Sequence, residues 1–268
     1  MTGKVQVEIK APVATITLNK PERLNALDVE VWEGIREAAI AVDAAPGVRA
    51  VILQGAGGAF CAGLDVKAGS TLGAVYEASP GAAIPQIRAH LGHLQECFTR
   101  LERVRVPVIA AIQRVCMGAG MELALCCDIR IAAESAIMST GYARIGLTGD
   151  YGIAWLLTRL VGTSRARELM FTADKVDAAR CEAIGLVNRV VPDAKLQEEA
   201  FALAKSMAEG PTIALRYMKD NLDEALLFDF ATARDHEAAR LIRTTITGDH
   251  REAVQAFIEK RKAVFNGS

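Results

Sequence analysis

The sequence contains no long apolar run, no strong excess of one charge and no closely spaced cysteine pair of the Cys-x-x-Cys type. Among its 268 residues no segment has about 18 uninterrupted apolar positions, so we expect no membrane-spanning helix. The first residues, "MTGKVQVEIK", alternate as a strand does and lack the apolar core of a signal peptide. The 31 basic and 32 acidic residues give a net charge of −1, which predicts neither a nucleic-acid partner nor an anionic membrane.

The cysteines show no disulfide framework and no zinc-binding pattern. Most of them lie in apolar runs, which is typical of reduced thiols in the core of a cytoplasmic protein. The six are Cys61, Cys97, Cys116, Cys126, Cys127 and Cys181. We therefore predict a cytoplasmic location.

The four histidines likewise indicate no metal site. His90 and His93 share a face of a predicted helix, but no third ligand is close to them in the sequence. A solvated or capping pair is the simpler interpretation. We therefore expect neither a metal nor a separate cofactor.

Alternating strand and helix patterns predict an α/β fold. Asp28 is a plausible N-cap for a helix over Val29–Ala44, which Pro46 and Gly47 end. From about residue 194 onward the pattern is helical only, and no repeat of fixed period is present. Further strands are expected at 5–9, Val13–Leu18, 48–54, 108–113 and 186–191, and a further helix at 86–103.

The stretch "GGAFCAGLDVK" (57–67) follows a predicted strand and is rich in small residues. Small residues let the backbone come close to another group. The composition then turns to glycine, alanine, serine and proline over 68–85, which we interpret as a mobile loop or broken helix covering a site.

A second glycine-rich stretch, "RVCMGAGMELALCCDIR", joins a predicted strand to a short apolar helix. Backbone N–H groups at the start of a helix have no intrahelical acceptor and lie at the positive end of its dipole. Glu122 falls in the first turn of this otherwise apolar helix. A carboxylate there is costly unless it is paired or functional, although Glu122 could also simply complement the dipole.

A third stretch, "ARIGLTGDYGIAWLLTRLVG", places Asp150 just before another apolar helix. On position alone, an N-cap aspartate is the simpler interpretation. No stretch matches the dinucleotide fingerprint, the phosphate-binding loop or the nucleophile elbow of hydrolases.

Taken in order along the chain, these stretches resemble the crotonase superfamily, also called the enoyl-CoA hydratase/isomerase family. The resemblance covers essentially the whole chain, and six motifs match in order and spacing. They are "NKPERLNALD", "GGAFCAGLDVK", "GAGMELALCCDIRIAAE", "GLTGDYGIAWLLTRLVG", "GLVNRVV" and "AFIEKRKAVF". The resemblance implies a crotonase-like spiral of strand–strand–helix units over residues 1–195 and a helical oligomerisation region over 196–268.

The resemblance also implies a function for individual residues. The backbone N–H groups of Leu64 and Ala119 would form an oxyanion hole for a thioester carbonyl. Residues near them would contact the coenzyme A (CoA) part of the substrate, so that no separate cofactor is needed. These contact residues are Arg23, Ala62, Asp65, Val66 and Lys67, with Phe257 and Lys260 reaching the adenine end in the same or a neighbouring subunit. The family assembles as trimers or pairs of trimers.

The sequence departs from the family pattern at one catalytic position. Hydratases of the family usually carry two glutamates; the first matches Glu122, but the second falls on Tyr142. Asp150, eight residues further on, resembles the aspartate of the dienoyl-CoA and ring-epoxide isomerases. Glu122 and Asp150 could hold a water molecule for hydration, or one could remove a proton that the other returns, which is isomerisation. Tyr142 is the third catalytic candidate: it could donate a hydrogen bond in either reaction, but its ordinary pKa near ~10 makes it a poor base at neutral pH. Hydration is slightly favoured as the commoner activity of the family.

Two further functions stay open at this point. The same oxyanion hole would support thioester hydrolysis, and a shared fold can also serve as a CoA-binding scaffold without chemistry. In the enzyme interpretation we expect Glu122 to be buried, to face one cavity together with Asp150, and to have a raised pKa.

Overall fold

The computed structural model describes residues 3–65 and 80–268, and of residues 80–83 and 86 only the backbone. The expected loop over 68–85 therefore lies mostly outside the described residues. Its last part is helical, because the helix predicted for 86–103 begins earlier, at Pro80, and runs to Glu102. Pro85 falls within its first two turns.

The larger sheet carries the first half of the fold. Its strands are β1 (Val5–Lys10), β2 (Val13–Leu18), β3 (Ala50–Gly55), β4 (Val108–Ile112), β6 (Ile129–Ala133) and β9 (Arg189–Val191), in that spatial order. β1 and β2 are antiparallel and the other neighbours are parallel. In register, Val51 lies opposite Val108 and Ile109 opposite Ile129. The strand predicted for 186–191 is shorter than expected, because it pairs with β6 only from Arg189.

A smaller sheet alternates with the larger one along the chain. It contains β5 (Val115–Met117), β7 (Ile137–Ser139) and β8 (Val176–Asp177). β4 belongs to the larger sheet, β5 belongs to the smaller one, and the short helix α3 (Ala119–Leu125) follows. In the same way, β6 belongs to the larger sheet and β7 to the smaller one. The predicted strand–strand–helix spiral is therefore confirmed.

Helices cover both faces of the larger sheet. On one face, α1 (Val29–Ala44) and α2 (Pro80–Glu102) pack on Ala14, Ile16 and Leu18 of β2 within the main core. On the other face, α7 (Leu196–Ala208) buries Leu196, Ala200, Ala204 and Ala208. Because helices cover the larger sheet on both sides, the side chains on both of its faces are apolar, as is usual for parallel strands.

Helix boundaries follow local signals where capping residues are present. Asp28 caps α1 as predicted, accepting a hydrogen bond from the Val31 N–H at 3.0 Å. The remaining helices are α4 (Ile153–Leu160), α5 (Thr163–Thr172), α6 (Ala178–Ala183), α8 (Thr212–Ala225), α9 (Phe230–Thr245) and α10 (Gly248–Glu259). Within the described residues, no helix combines the length and apolarity needed to cross a bilayer.

Many large apolar side chains of the last three helices and the turns between them remain exposed in the single chain. They include Leu222, Leu227, Phe230, Leu241, Ile242, Ile246 and Phe257. Exposure of such a cluster is unusual for the surface of a monomer.

The contact between α3 and the segment before it depends on a glycine. A Cβ atom at Gly120 would lie 2.6 Å from the Cys61 carbonyl oxygen and 2.7 Å from the Cys61 Cβ. We expect Gly120→Ala to lower the free energy of unfolding by about 1–3 kcal/mol, because the backbone must shift. Urea denaturation would measure this.

Gly92→Ala is the matched control, since Gly92 is also helical but has nothing within 4 Å of the added atom. It should stabilise the chain by roughly 0.5–1 kcal/mol through helix propensity. Equal effects of the two substitutions would show that the approach of α3 to Cys61 is not tight.

Candidate active site

Residues 59–65 run beside β5 and bring the first glycine-rich stretch to the second. The Cys61 N–H donates to the Val115 carbonyl at 2.8 Å, and the Met117 N–H donates to the Cys61 carbonyl at 3.0 Å. On the opposite side, the Leu27 N–H donates to the Gly63 carbonyl at 2.7 Å. The two stretches singled out in the sequence are therefore neighbours in space.

Gly63 allows the closest approach between these stretches. Its φ of 91° is in the region that favours glycine, and a Cβ atom there would lie 2.7 Å from the Met117 carbonyl oxygen. The same atom would be 3.6 Å from the Ala119 backbone nitrogen. The lack of a side chain at Gly63 thus places Leu64 next to the start of α3.

Two backbone N–H groups are left without an acceptor at this junction, within the part of the chain that the structure describes. The neighbours of Leu64 use theirs, since Ala62 donates to Leu24 and Asp65 donates to Leu27. Leu64 itself donates to no protein group there. Ala119 is the first residue of α3, so its N–H has no intrahelical acceptor. Both residues line the same cavity.

That cavity has a volume of about 790 Å³ and is mainly apolar. Its apolar lining includes Trp32 on α1, Leu91 and Leu94 on α2, and Ile145 and Leu147 before α4. Tyr142 and Asp150 also line it. The volume is in the range that suits a medium-sized organic ligand.

Tyr142 links the two carboxyl groups that the sequence indicated. Its hydroxyl lies 2.6 Å from Glu122 Oε2 and 3.3 Å from Asp150 Oδ1. The other Glu122 oxygen accepts a hydrogen bond from the Tyr151 N–H at 3.4 Å. The three predicted acid–base side chains therefore form one hydrogen-bonded group.

Glu122 is fully buried, as expected, but it is not at the cavity wall. Its exposed fraction is 0 %, and of this group Tyr142 and Asp150 line the cavity while Glu122 does not. The expectation that Glu122 faces the cavity directly is thus wrong. The larger tyrosine at position 142 occupies that place and lies against the Glu122 carboxyl.

The electrostatic environment favours the protonated form of Glu122. Burial, followed by the neighbouring charge of Asp150, raises its pKa to about 8 from an ordinary value of 4.5. The hydrogen bond from Tyr142 acts in the opposite direction but is weaker. Burial and the two carboxyl groups also raise the pKa of Tyr142 well above its usual range. At neutral pH the group thus holds protons on both Glu122 and Tyr142.

Asp150 is not a helix cap. The helix after it, α4, begins at Ile153 with Gly152 in the N-cap position. Position alone favoured the capping role, because a residue three places before an apolar helix resembles a cap in sequence. Folding turns the Asp150 carboxylate toward Tyr142 instead.

An ion-pair network joins two carboxylates that line the cavity, Asp28 and Asp65. The Lys20 ammonium is 2.6 Å from Asp28 Oδ2 and 2.8 Å from Asp65 Oδ2, and Arg23 Nη2 is 3.0 Å from Asp65 Oδ1. Lys20 is only 8 % exposed, so the pairs are partly desolvated. Lys20 lies in the first motif, but the local sequence does not indicate its role, because its carboxylate partner Asp65 is 45 residues away.

Asn25 is a second residue that the sequence analysis missed. Its side-chain amide donates to the Ala59 carbonyl at 2.7 Å and to the Ala56 carbonyl at 2.9 Å, and its side-chain oxygen accepts from the Lys20 N–H. Asn25 is fully buried and has a φ of 57°, which asparagine tolerates better than most residues. It fixes the start of residues 59–65.

The predicted CoA-contacting residues fall into three groups. Ala62 and Asp65 line the cavity, and Arg23 is paired with Asp65 at its mouth. Val66 and Lys67 lie outside the described residues. Phe257 and Lys260, at the end of α10, do not line the cavity of their own chain, and Phe257 is 85 % exposed.

Comparison with known proteins gives the family. The family model described as "Enoyl-CoA hydratase/isomerase" matches residues 8–268. A crotonyl-CoA hydratase of Syntrophomonas wolfei is 35 % identical over 260 residues, covering 97 % of this chain and 96 % of that protein. A short-chain-enoyl-CoA hydratase of Clostridium acetobutylicum is 33 % identical over 261 residues, with 97 % and 96 % covered.

Solved structures agree with this assignment. The crystal structure of an enoyl-CoA hydratase from Bacillus anthracis matches with a TM-score of 0.90 and 31 % identity, covering 99 % of this chain and 100 % of that one. The chain belongs to the enoyl-CoA hydratase/isomerase family and has the crotonase fold with a helical C-terminal region. It is an enzyme of the enoyl-CoA hydratase/isomerase type.

The raised pKa of Glu122 predicts a pH-dependent stability. Between about pH 5 and pH 8 the unfolded chain releases the Glu122 proton and the folded chain keeps it, so stability falls as pH rises. The slope from one such group is at most about 1.4 kcal/mol per pH unit. Glu122→Gln cannot ionise, and we expect it to lack this part of the decline.

Urea denaturation at several pH values, at one protein concentration, measures the difference. Glu134→Gln, which changes an exposed glutamate, is the control and should keep the wild-type slope. Parallel curves for Glu122→Gln and the wild type would contradict a strongly raised pKa in the folded state.

Proposed function

We propose that the protein binds an enoyl-CoA thioester in the 790 Å³ cavity and adds water to its carbon–carbon double bond. The observation that carries this proposal is the linked Glu122–Tyr142–Asp150 group, of which Tyr142 and Asp150 line a cavity that Leu64 and Ala119 also line. The hydratases named above among the relatives support the same reaction.

The two N–H groups would bind the thioester carbonyl oxygen. Negative charge grows on that oxygen when a nucleophile adds to the conjugated double bond and an enolate forms. Fixed N–H donors in a largely dry cavity stabilise such charge without needing to reorganise, and one donor is typically worth about 3 kcal/mol of barrier. Ala119 adds the positive end of the α3 dipole.

Asp150 and Tyr142 would supply the acid–base chemistry at the cavity wall. Asp150 takes one proton from a water molecule whose oxygen bonds to the β-carbon of the substrate. The Tyr142 hydroxyl gives its proton to the α-carbon, and Glu122, which is protonated at neutral pH, replaces the tyrosine proton in the same movement. The net reaction is the addition of one water molecule to the double bond. It leaves a proton on Asp150, and transfer of that proton to Glu122 restores the starting state.

This relay avoids a free tyrosinate, which the raised pKa of Tyr142 makes very unfavourable. It also explains how a carboxyl group that does not reach the cavity can take part. A pH profile should show activity falling as pH rises through about 8, where Glu122 loses its proton.

Double-bond isomerisation is the second candidate, and one specific observation favours it. The Tyr142 hydroxyl already occupies a position between the two carboxyl groups, where a water molecule held by both would otherwise lie. In that case one group removes a proton from the acyl chain and the other returns it at a different carbon. Oxyanion stabilisation would be the same in both reactions.

A product assay with a panel of enoyl-CoA esters, read by mass, separates these reactions. We expect a product heavier than the substrate by one water. An unchanged mass with a shifted double bond would replace hydration by isomerisation, and free CoA would indicate thioester hydrolysis. No conversion of any ester, with binding retained, would indicate a CoA-binding scaffold.

The variants Asp150→Asn and Tyr142→Phe test the relay within that assay. Each removes one proton-carrying group while keeping its size, and each should lower kcat by roughly 10²–10⁴-fold with little change in binding of a CoA ester. Circular dichroism checks that both variants fold. A Tyr142→Phe variant with wild-type kcat would show that Glu122 does not act through the tyrosine.

For CoA itself we propose binding at the mouth of the cavity. Arg23, Ala62, Asp65, Val66 and Lys67 would contact the pantetheine and phosphate groups, and Phe257 and Lys260 the adenine end across a subunit interface. Support comes from the position of Ala62, Asp65 and Arg23 at the cavity. The reaction as written needs no further cofactor. The six buried cysteines, none of them in a disulfide, are in keeping with a reducing, cytoplasmic location.

We further propose that the chain forms a trimer or a dimer of trimers through residues 196–268. The exposed apolar side chains of α8, α9 and α10 support this, because an assembly would cover them. Analytical ultracentrifugation at micromolar concentration should give three or six times the mass of the 28.7 kDa chain.

Phe230→Asp should shift that mass toward the monomer, since Phe230 is 82 % exposed and a buried charge is costly. Ile9→Asp, at an exposed apolar position on β1 far from the helical region, is the control and should leave the mass unchanged. A monomeric wild-type chain would refute the proposed assembly.

A further inference from the structure

Three side chains of metal-ligand type meet where α1 packs against α2. Glu33 comes from α1, and His93 and Cys97 come from successive turns of α2. Their ligand atoms, a carboxylate oxygen, an imidazole nitrogen and the thiol sulfur, all lie within 4.8 Å of one another. Cys97 is only four residues from His93 in the sequence, but Glu33 is 60 residues away, so the local sequence does not show the three side chains as one cluster.

We propose that Glu33, His93 and Cys97 bind one zinc ion. Carboxylate, imidazole and thiolate are all ligands that zinc accepts, and three protein ligands with one water complete a tetrahedral site. His93 is about half exposed, which leaves a side open to that water. The site lies outside the acid–base group and does not depend on the function proposed above.

The helix geometry suits chelation by the two ligands on α2. Residues four apart lie on the same face of a helix, one turn above the other. Metal–ligand bonds of about 2.0–2.3 Å would bring the three ligand atoms to roughly 3.5 Å from one another. From separations of up to 4.8 Å, this requires only small side-chain rotations, which the exposed His93 can make.

Charge balance also permits the ion. A Glu33 carboxylate and a Cys97 thiolate together neutralise a divalent cation, so the nearby Arg36 meets no net positive charge. Arg36 Nε donates to Glu33 Oε2 at 3.0 Å and orients the carboxylate, and Oε1 is the oxygen that contacts His93. The ion would replace this direct contact, with release of the thiol proton. A residue such as Arg36, which hydrogen-bonds to a metal ligand without binding the metal itself, is a usual feature of metal sites.

The position of the site gives the ion a structural consequence. His90, Leu91 and Leu94, on the same stretch of α2, line the substrate cavity, and Trp32 next to Glu33 does so from α1. Trp32 also packs on Phe98 with ring centroids 4.2 Å apart. A zinc ion would therefore tie together the two helices that form one wall of the cavity.

Equilibrium dialysis of the untagged full chain against Zn²⁺ tests the proposal directly. We expect one ion per chain and a melting temperature higher by about 5 °C when free zinc is roughly a hundred times Kd. With Co²⁺ in place of zinc, bonding to the Cys97 sulfur should produce a thiolate charge-transfer band in the near ultraviolet. Activity is not used as the readout.

Matched variants show whether the three residues are the ligands. His93→Ala and Cys97→Ala should each lower zinc affinity by at least tenfold, and Cys97→Ala should abolish the charge-transfer band. His236→Ala is the control for the histidine, because His236 is also exposed and paired with a glutamate, Glu224, at 2.7 Å. Cys181→Ala is the control for a buried cysteine. Both controls should bind zinc as the wild type does.

Two results would overturn the proposal. One is the absence of stoichiometric zinc binding by the folded wild-type chain, which would leave Glu33 and His93 as an ordinary ion pair. The other is unchanged zinc affinity in His93→Ala, a variant at an exposed position that should fold even if Cys97→Ala does not. Circular dichroism of each variant separates loss of binding from loss of structure.

Discussion

The close approach of two backbone segments is the constraint on which the site depends. Residues 59–65 lie beside β5 and the start of α3 only because Gly63 and Gly120 carry no side chain at the points of contact. This approach brings Leu64 and Ala119 to the lining of one cavity. It also fixes the first turn of α3, and with it the position of Glu122.

A buried carboxyl group is the second constraint, and the surroundings of Glu122 reduce its cost by keeping it neutral. Burial and Asp150 both favour the protonated acid, and Tyr142 and the Tyr151 N–H provide hydrogen-bonding partners. A second glutamate at position 142 would have added one more negative charge to this group. The tyrosine instead adds a proton donor that reaches the cavity, which changes the route of proton transfer without removing the carboxyl pair.

The helices differ in the surfaces they bury. α1, α2 and α7 cover the larger sheet within the chain, whereas α8, α9 and α10 keep large apolar side chains exposed. The α1–α2 contact is of particular interest, because these two helices contribute both apolar residues that line the cavity and the cluster Glu33, His93 and Cys97. Changes in the packing of these two helices would therefore also change the shape of the cavity that they line.

The sequence by itself determined the α/β class, the spiral of strand–strand–helix units, the Asp28 cap and the family, because each of these depends on local periodicity, capping or ordered motifs. It also indicated Glu122, since a lone acid in an apolar helix is visible without coordinates. The early start of α2 and the short β9 were decided by tertiary pairing and packing rather than by local preference. Only the tertiary structure decided that Asp150 contacts Tyr142 instead of capping a helix, that Glu122 lies behind Tyr142, and that Lys20 pairs with Asp65. The physical reason is the same in each case: burial and charge pairing depend on residues far apart in the chain, and local sequence patterns carry no record of those distances.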